Sequence, residues 1–321
     1  MSLFKLKKHT EFLSSSRVET KIDDLIRMAQ LADALPLPVH NIKNQHKGSM
    51  LSAFKGRGME LADTRRYQDG DDVRDLNWST YARTGDLYTK LYHEERERPS
   101  MLWVDQSQSM QFATRGSYKS VIASQLAALI GWHELKNNNR VGGINVDDQM
   151  VNHWRASKSK KSFMQFLQQL CVINPIKNEP VALTLADKLA SLNRVKQPGS
   201  GLYLFSDFNG WDTECEQQLL RLSQHQDILL TMILDPLELQ LPNKGQYTFS
   251  DGASQRTLDM SQAKKLSPYY RELSDRIDRV SEMGSYPNID CAYVLTNDNP
   301  IESSYRSLNY SSSKFSLGDR I

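Results

Sequence analysis

An α/β fold, with a mostly parallel sheet flanked by helices, is what this 321-residue sequence predicts. Three observations predict it. Short apolar runs bounded by polar residues recur at 101–104, 141–146, 202–205, 228–234 and 291–295, and read as buried strands. Helical periodicities fill the intervals between them. Strands that alternate with helices imply crossover connections, and therefore parallel pairing with helices on both faces.

Taken in order, residues 1–18 are basic and then Ser-rich, and read as an arm. A helix is expected over 19–35, with Ile22, Leu25, Ile26 and Ala29 on one face and Leu35-Pro-Leu-Pro ending it. Residues 41–58 are polar and contain glycine, as in a loop or hairpin. Leu87-Tyr-Thr-Lys-Leu-Tyr-His-Glu94 reads as a strand. Within the α/β region, helices are expected over 118–135, 162–172 and 182–193, from 215, and over 266–280. Residues 149–154 follow Asp147-Asp148 closely enough to form an antiparallel edge strand. A hairpin turning at Asp251-Gly252 interrupts the alternation. The chain thus divides into an N-terminal arm, helix and β-rich segment (1–98), an α/β domain (99–300) with a hairpin inserted at 235–260, and a Ser-containing tail (301–321).

Composition narrows the function classes. The chain is 39% hydrophobic and 24% charged, enough to bury a sizeable core. A formal net charge of +2 gives no footprint for nucleic acid or for an anionic membrane. Cys171, Cys215 and Cys291 are far apart and match neither a disulfide scaffold nor a zinc site, which fits a reducing compartment. With no signal peptide and no apolar run of membrane-spanning length, a cytoplasmic location is expected.

The segment from Lys55 to Arg98 holds nine Lys/Arg and ten Asp/Glu. Charges so nearly balanced read as an internal ion-pair network that fixes a loop-rich segment. An EF-hand fails here, because glycine falls between the acids and no Glu stands at the twelfth loop position.

The candidate site is Asp105-Gln-Ser107-Gln-Ser109-Met110, directly after the first buried strand. In an open α/β sheet, ligands bind beyond the carboxyl ends of the strands. One carboxylate and two hydroxyls at alternate positions are hard oxygen donors, suited to magnesium, manganese or calcium. Helix capping by the same residues is the plain structural alternative. Asp207 stands at the end of a second strand, in Phe205-Ser206-Asp207-Phe208. Two carboxylates brought together repel, unless one is protonated or a cation compensates them.

Asp105-x-Ser107-x-Ser109 with the later Asp207 resembles the metal-ion-dependent adhesion site of von Willebrand factor A domains. Arg66-Tyr67-x-x-Gly70-Asp71-Asp72-x-Arg74-Asp75-x-Asn77-Trp78-x-x-x-Ala82-Arg83 upstream, and Asp235-Pro-Leu-Glu238 downstream, resemble the signatures of the bacterial domain-of-unknown-function family 58, a von Willebrand A-like family. The resemblance implies a von Willebrand A-like, Rossmann-like fold. It implies a third ligand loop carrying a Thr, for which Thr184 is the nearest residue, although the glycine-rich run that commonly precedes it is absent. The signature Trp usually follows Asp, whereas here it follows Asn77. The implied cofactor is Mg2+, with Mn2+ or Ca2+ as alternatives.

The implied function is cation-dependent protein binding. A partner's Asp or Glu completes the metal shell, and the setting is that of an adaptor to a MoxR-type AAA+ ATPase. No phosphate-binding loop is present, so ATP hydrolysis would belong to the partner. A metal-dependent hydrolase, with Ser107 or Ser109 as nucleophile, is the competing class. No His lies near either ligand loop in sequence to serve as base, since His93 and His133 fall outside both. A structural module with an empty site is the third reading.

Overall fold

The computed structural model describes residues 17–34, 59–68, 71–94, 99–172, 183–195, 198–239, 246–250, 255–259 and 267–298. The expectations for 1–16, for 41–58, for the Asp251-Gly252 turn and for 301–321 lie outside these residues. In chain order, helix α1 (Ile22–Ala34) precedes β1 (Met59–Arg66), α2 (Trp78–Thr84), β2 (Tyr88–Glu94) and β3 (Ser100–Asp105). There follow α3 (Lys119–Lys136), β4 (Val141–Val146), β5 (Val151–Ser157), α4 (Lys160–Leu170) and α5 (Leu185–Ala190). Then come β6 (Gly201–Ser206), α6 (Thr213–Ser223), β7 (Asp227–Leu234), α7 (Pro236–Leu239), β8 (Gln246–Ser250), β9 (Gln255–Asp259), α8 (Ser267–Met283) and β10 (Ile289–Leu295).

The chain forms two compact units, one of residues 44–97 and one of residues 1–43 with 98–321. Helix α1 belongs to the larger unit. Leu25, Met28 and Ala32 are buried in its core, and Trp132 Nε1 donates to the Leu25 carbonyl at 2.9 Å. An amphipathic helix followed at a distance by an α/β domain leaves open in sequence which partner its apolar face will cover.

In the smaller unit, β1 and β2 pair antiparallel. Asp71 collects Arg65 at 2.6 Å, the Gln68 N–H at 3.0 Å and the Thr89 hydroxyl at 3.2 Å. Asp72 caps the 3-10 turn Val73–Asp75 by accepting from the Arg74 N–H. Asn77 caps α2 by accepting from the Thr80 N–H, so its amide oxygen performs the capping a carboxylate would. Internal pairing is thus what these charged residues do.

The larger unit holds a six-stranded sheet in the order β10-β7-β6-β3-β4-β5. Only β5, at one edge, runs antiparallel, where the sequence predicts such a strand. Alternation along the strands divides the core. Leu102, Val104, Tyr203, Phe205 and Ile233 face the side that buries α1, α3 and α4. Met101, Trp103, Leu202, Leu204 and Met232 face the side of α5, α6 and α8. Helix α3 is buried nearly all round, from Lys119 to Glu134. The three cysteines are free, and burial pushes the Cys215 and Cys291 thiols up to about 12, so they pack rather than react. Among the described residues, no helix is long and apolar enough to cross a membrane.

This topology positions the site. Strand β3 has β4 on one side and β6 on the other. The chain winds outward through β4 and β5, then returns across β3 to β6. The winding reverses between β3 and β6, the kind of switch point beside which open α/β sheets bind ligands.

Candidate functional site

Asp105 is the last residue of β3, and Ser206 the last of β6. Val104 pairs with Phe205, which sets Asp105 beside Ser206. The Ser206 hydroxyl donates to Asp105 Oδ2 at 2.6 Å, and the Ser107 N–H donates to Asp105 Oδ1 at 3.0 Å. Ser107 opens the 3-10 turn Gln108–Met110. That turn brings the Ser107 and Ser109 hydroxyls to 3.3 Å, and Ser109 Oγ donates to Asp207 Oδ1 at 3.1 Å. The next residue, Phe208, is fully buried with φ of 51°. A bulky residue in the left-handed region is strained. Its N–H donates to Ser206 Oγ at 2.8 Å, and its ring meets Trp211 edge-on at 5.6 Å. These contacts hold the kink that turns Asp207 inward.

Four of the five ligand candidates are therefore brought together: Asp105, Ser107, Ser109 and Asp207. Thr184 is not. It is the exposed N-cap of α5, in a capping box with Asp187. Its hydroxyl donates to Asp187 Oδ2 at 2.7 Å and accepts from the Asp187 N–H at 3.1 Å. None of the hydrogen bonds it makes among the described residues goes to the other four. The Thr-x-x-Asp spacing is itself a capping signal.

The same helix instead turns Lys188, four residues on, toward the site. Its ammonium pairs with Asp148 Oδ1 at 2.9 Å, and Asp148 Oδ2 accepts from the Gln108 N–H at 2.7 Å. On the opposite side, Lys119 opens α3 and is fully buried. Its Nζ lies 3.2 Å from Asp207 Oδ2 and 2.6 Å from Glu238 Oε1. In sequence, the compensating charge for the two carboxylates is a divalent ion; in the structure, protein ammonium groups supply part of it. Lys119, Glu238, Lys188 and Ser206 are the residues that sequence reasoning misses. One signal does point to Lys119: a lysine in the first turn of an otherwise apolar helix opposes the macrodipole and needs a partner.

The electrostatics separate the two aspartates. Burial pushes the Asp105 carboxyl up and the charge of Asp207 adds to this, against Lys188 and the bonds from Ser206 and Ser107. Burial would also raise Asp207, but Lys119, Arg276 and the Asn209 N–H outweigh it and hold that carboxyl below the usual range. Burial opposes charge on Lys119, yet Asp207 and Glu238 keep its ammonium above the ordinary lysine range.

The donor set suits a small divalent ion. Neighbouring ligands around an octahedral ion with bonds of about 2.1 Å stand roughly 3 Å apart. The Ser107–Ser109 and Ser109–Asp207 oxygen separations, 3.3 and 3.1 Å, match this spacing. Among the described residues, no three His, Cys, Asp or Glu side chains cluster as a metal site, so such an ion would rely on the two hydroxyls.

Residues 63–276 match the family described as protein of unknown function DUF58. The chain belongs to that family. The DUF58 match takes in the Asp71 network, the Asp105 loop, Asp207 and the Asp235–Glu238 turn. Uncharacterized proteins of Mycobacterium bovis and of two Mycobacterium tuberculosis strains are 27% identical over 207 residues, which is 64% of this chain and 65% of each relative. An aerotolerance-related membrane protein from Bacteroides fragilis, solved with multiple mutations to serine, is 13% identical over 66% of this chain and 98% of its own, with a TM-score of 0.37. An uncharacterized membrane spanning protein from Vibrio fischeri is 12% identical over 57% of this chain and 94% of its own, at a TM-score of 0.23. Likenesses this weak say nothing of a shared role.

Proposed function

We propose that this DUF58 chain is a divalent-cation-dependent protein-binding adaptor, with a von Willebrand A-like adhesion site formed by Asp105, Ser107, Ser109 and Asp207. The observation that carries the reading is the run of hard oxygens, Ser107 to Ser109 to Asp207, at ligand spacing on the switch point of the sheet. A bound magnesium ion would supply a Lewis acid with coordination positions left for a partner's Asp or Glu. The chain's own residues orient that site. Ser206 and the Ser107 N–H fix both oxygens of Asp105, and the Phe208 kink aims Asp207. Ser109, only half-buried, and the exposed Gln108 mark the side from which a partner would approach. The family resemblance suggests a MoxR-type AAA+ ATPase as the machine this adaptor serves.

One observation favours a second reading, a module that needs no metal: Lys119 already pairs with Asp207. Magnesium titration by calorimetry decides between them. Wild type and Thr184→Ala should bind alike, and Asp105→Ala should not bind. A silent wild type at millimolar magnesium would sink the adaptor reading in favour of the metal-free one.

A further inference from the structure

The Asp235-Pro-Leu-Glu238 turn supplies no candidate ligand, yet a continuous hydrogen-bonded chain joins it through the buried Lys119 to Asp207. Asp235 is fully buried. It accepts from the Thr114 N–H at 2.8 Å and from the Thr296 hydroxyl at 2.7 Å, so it ties the loop before α3 to the end of β10. Gly116 makes this approach feasible: a Cβ there would stand 1.9 Å from the Thr296 carbonyl oxygen. The Asp235 N–H donates to Glu238 Oε2 at 2.7 Å, and Glu238 Oε1 accepts from Lys119. Lys119 then reaches Asp207 Oδ2, while Asp207 Oδ1 is left to Ser109 and the Asn209 N–H.

Asp207 therefore has two sides. One oxygen faces the Ser109 hydroxyl, where a cation would sit, and the other holds an ammonium. A single ammonium stands between two buried carboxylates, Asp207 and Glu238. The nearer contact, 2.6 Å against 3.2 Å, is to Glu238. Whatever charge Lys119 lends to Asp207 is charge that an incoming cation does not gain.

We propose that Lys119 is a resident counter-cation that shares Asp207 with the divalent ion and weakens its binding, and that Glu238 sets the strength of this competition by drawing Lys119 away from Asp207. Lys119 is a positioning residue and no ligand. The inference rests on the reading that Asp105, Ser107, Ser109 and Asp207 accept a divalent ion. It makes the Asp235–Glu238 turn a tuning element of that site: a change that loosens Glu238 lowers cation affinity without touching a ligand.

The test is calorimetric titration of the full chain with magnesium and with manganese, on wild type, Lys119→Met and Glu238→Gln. The two variants should move affinity in opposite directions. Lys119→Met takes the paired ammonium from Asp207 and should tighten binding by roughly tenfold or more. Glu238→Gln leaves the ammonium to Asp207 alone and should weaken binding several-fold. The urea midpoint gives a readout that a merely structural lysine would not produce: manganese should raise the midpoint of Lys119→Met more than that of wild type. Binding by wild type with Lys119→Met unchanged or weaker overturns the inference and leaves the cation site standing. A silent wild type with a binding Lys119→Met upholds Lys119 as the resident counter-ion and overturns the adaptor reading for the native chain. Silence in both overturns both. If Lys119→Met does not fold, Glu238→Gln decides: weaker binding supports the competition, and unchanged or tighter binding ends it.

Discussion

Asp71 and Asp207 are hubs of two clusters built from the same parts, and they differ in their access to water. Each accepts a backbone N–H, from Gln68 and Asn209 respectively, and each pairs with one basic side chain. The Arg65 partner of Asp71 keeps 35% of its side chain exposed, whereas Lys119 and Asp207 keep 1% and 2%. Solvent screens the first pair, so its contribution is chiefly to shape: it ties Asp71 to Arg65 of β1. The second pair has no water to replace a missing partner. Its members are costly to bury and far costlier to leave alone. The same residue types therefore give a local brace in the smaller unit and, in the larger one, a charge balance shut off from water.

The largest expected effect comes from breaking the buried cluster. Asp207→Ala leaves Lys119 with Glu238 alone and should cost about 3–5 kcal/mol of stability in urea unfolding. A loss as small as that of an exposed pair would place Asp207 in the class of Asp71.

A smaller effect, of distinctive sign, is expected at Asp105. Its carboxyl is raised in the folded chain, so the folded state holds that proton more tightly than the unfolded state. This favours folding below the ordinary carboxylate range and becomes a cost as pH rises through the raised value. Asp207, held low, contributes stability above the ordinary range, and loses it as pH falls through its lowered value. In the presence of chelator, Asp105→Asn should therefore gain on wild type as pH rises toward neutrality. Urea midpoints across the acidic range check this, and a difference constant with pH would show that the burial of Asp105 has no such consequence.

The smallest effect belongs to the brace. Arg65→Met should shift the unfolding midpoint less than either substitution above and leave magnesium titration unchanged. A shift comparable with Asp207→Ala would erase the distinction between the clusters.

Much of the larger unit was legible because its signals are local. Apolar runs such as 101–104 and 228–234 are too short for buried helices, and the intervening helices show their faces directly. The antiparallel edge strand follows from the short connection at Asp147-Asp148, which cannot cross over. Asp105, Ser107, Ser109 and Asp207 come together because strand ends on a parallel sheet all point one way, so sequence position after a strand becomes spatial position at one edge of the sheet. The sequence read Asp72 and Asn77 only as parts of a charged, paired segment, and the structure makes each a cap that reaches no further than its own turn.

Thr184 shows the limit of that reasoning. The family resemblance made it a ligand candidate, but Thr-x-x-Asp closes on itself as a capping box, and Asp187 takes the hydroxyl. Lys119 and Lys188 show the opposite failure. A lysine is by default a solvated surface residue, and the opposed macrodipole that marks Lys119 says only that it needs a partner, not which one. Lys119 lies 88 residues from Asp207 and 119 from Glu238. By itself, the sequence determined the α/β alternation, the strand ends and the hard oxygens that stand there, because these depend on periodicity and on residue type. Only the tertiary structure decided the balance of charge among them, because electrostatic energy depends on distance and on the exclusion of water, and both arise when the strands and helices pack.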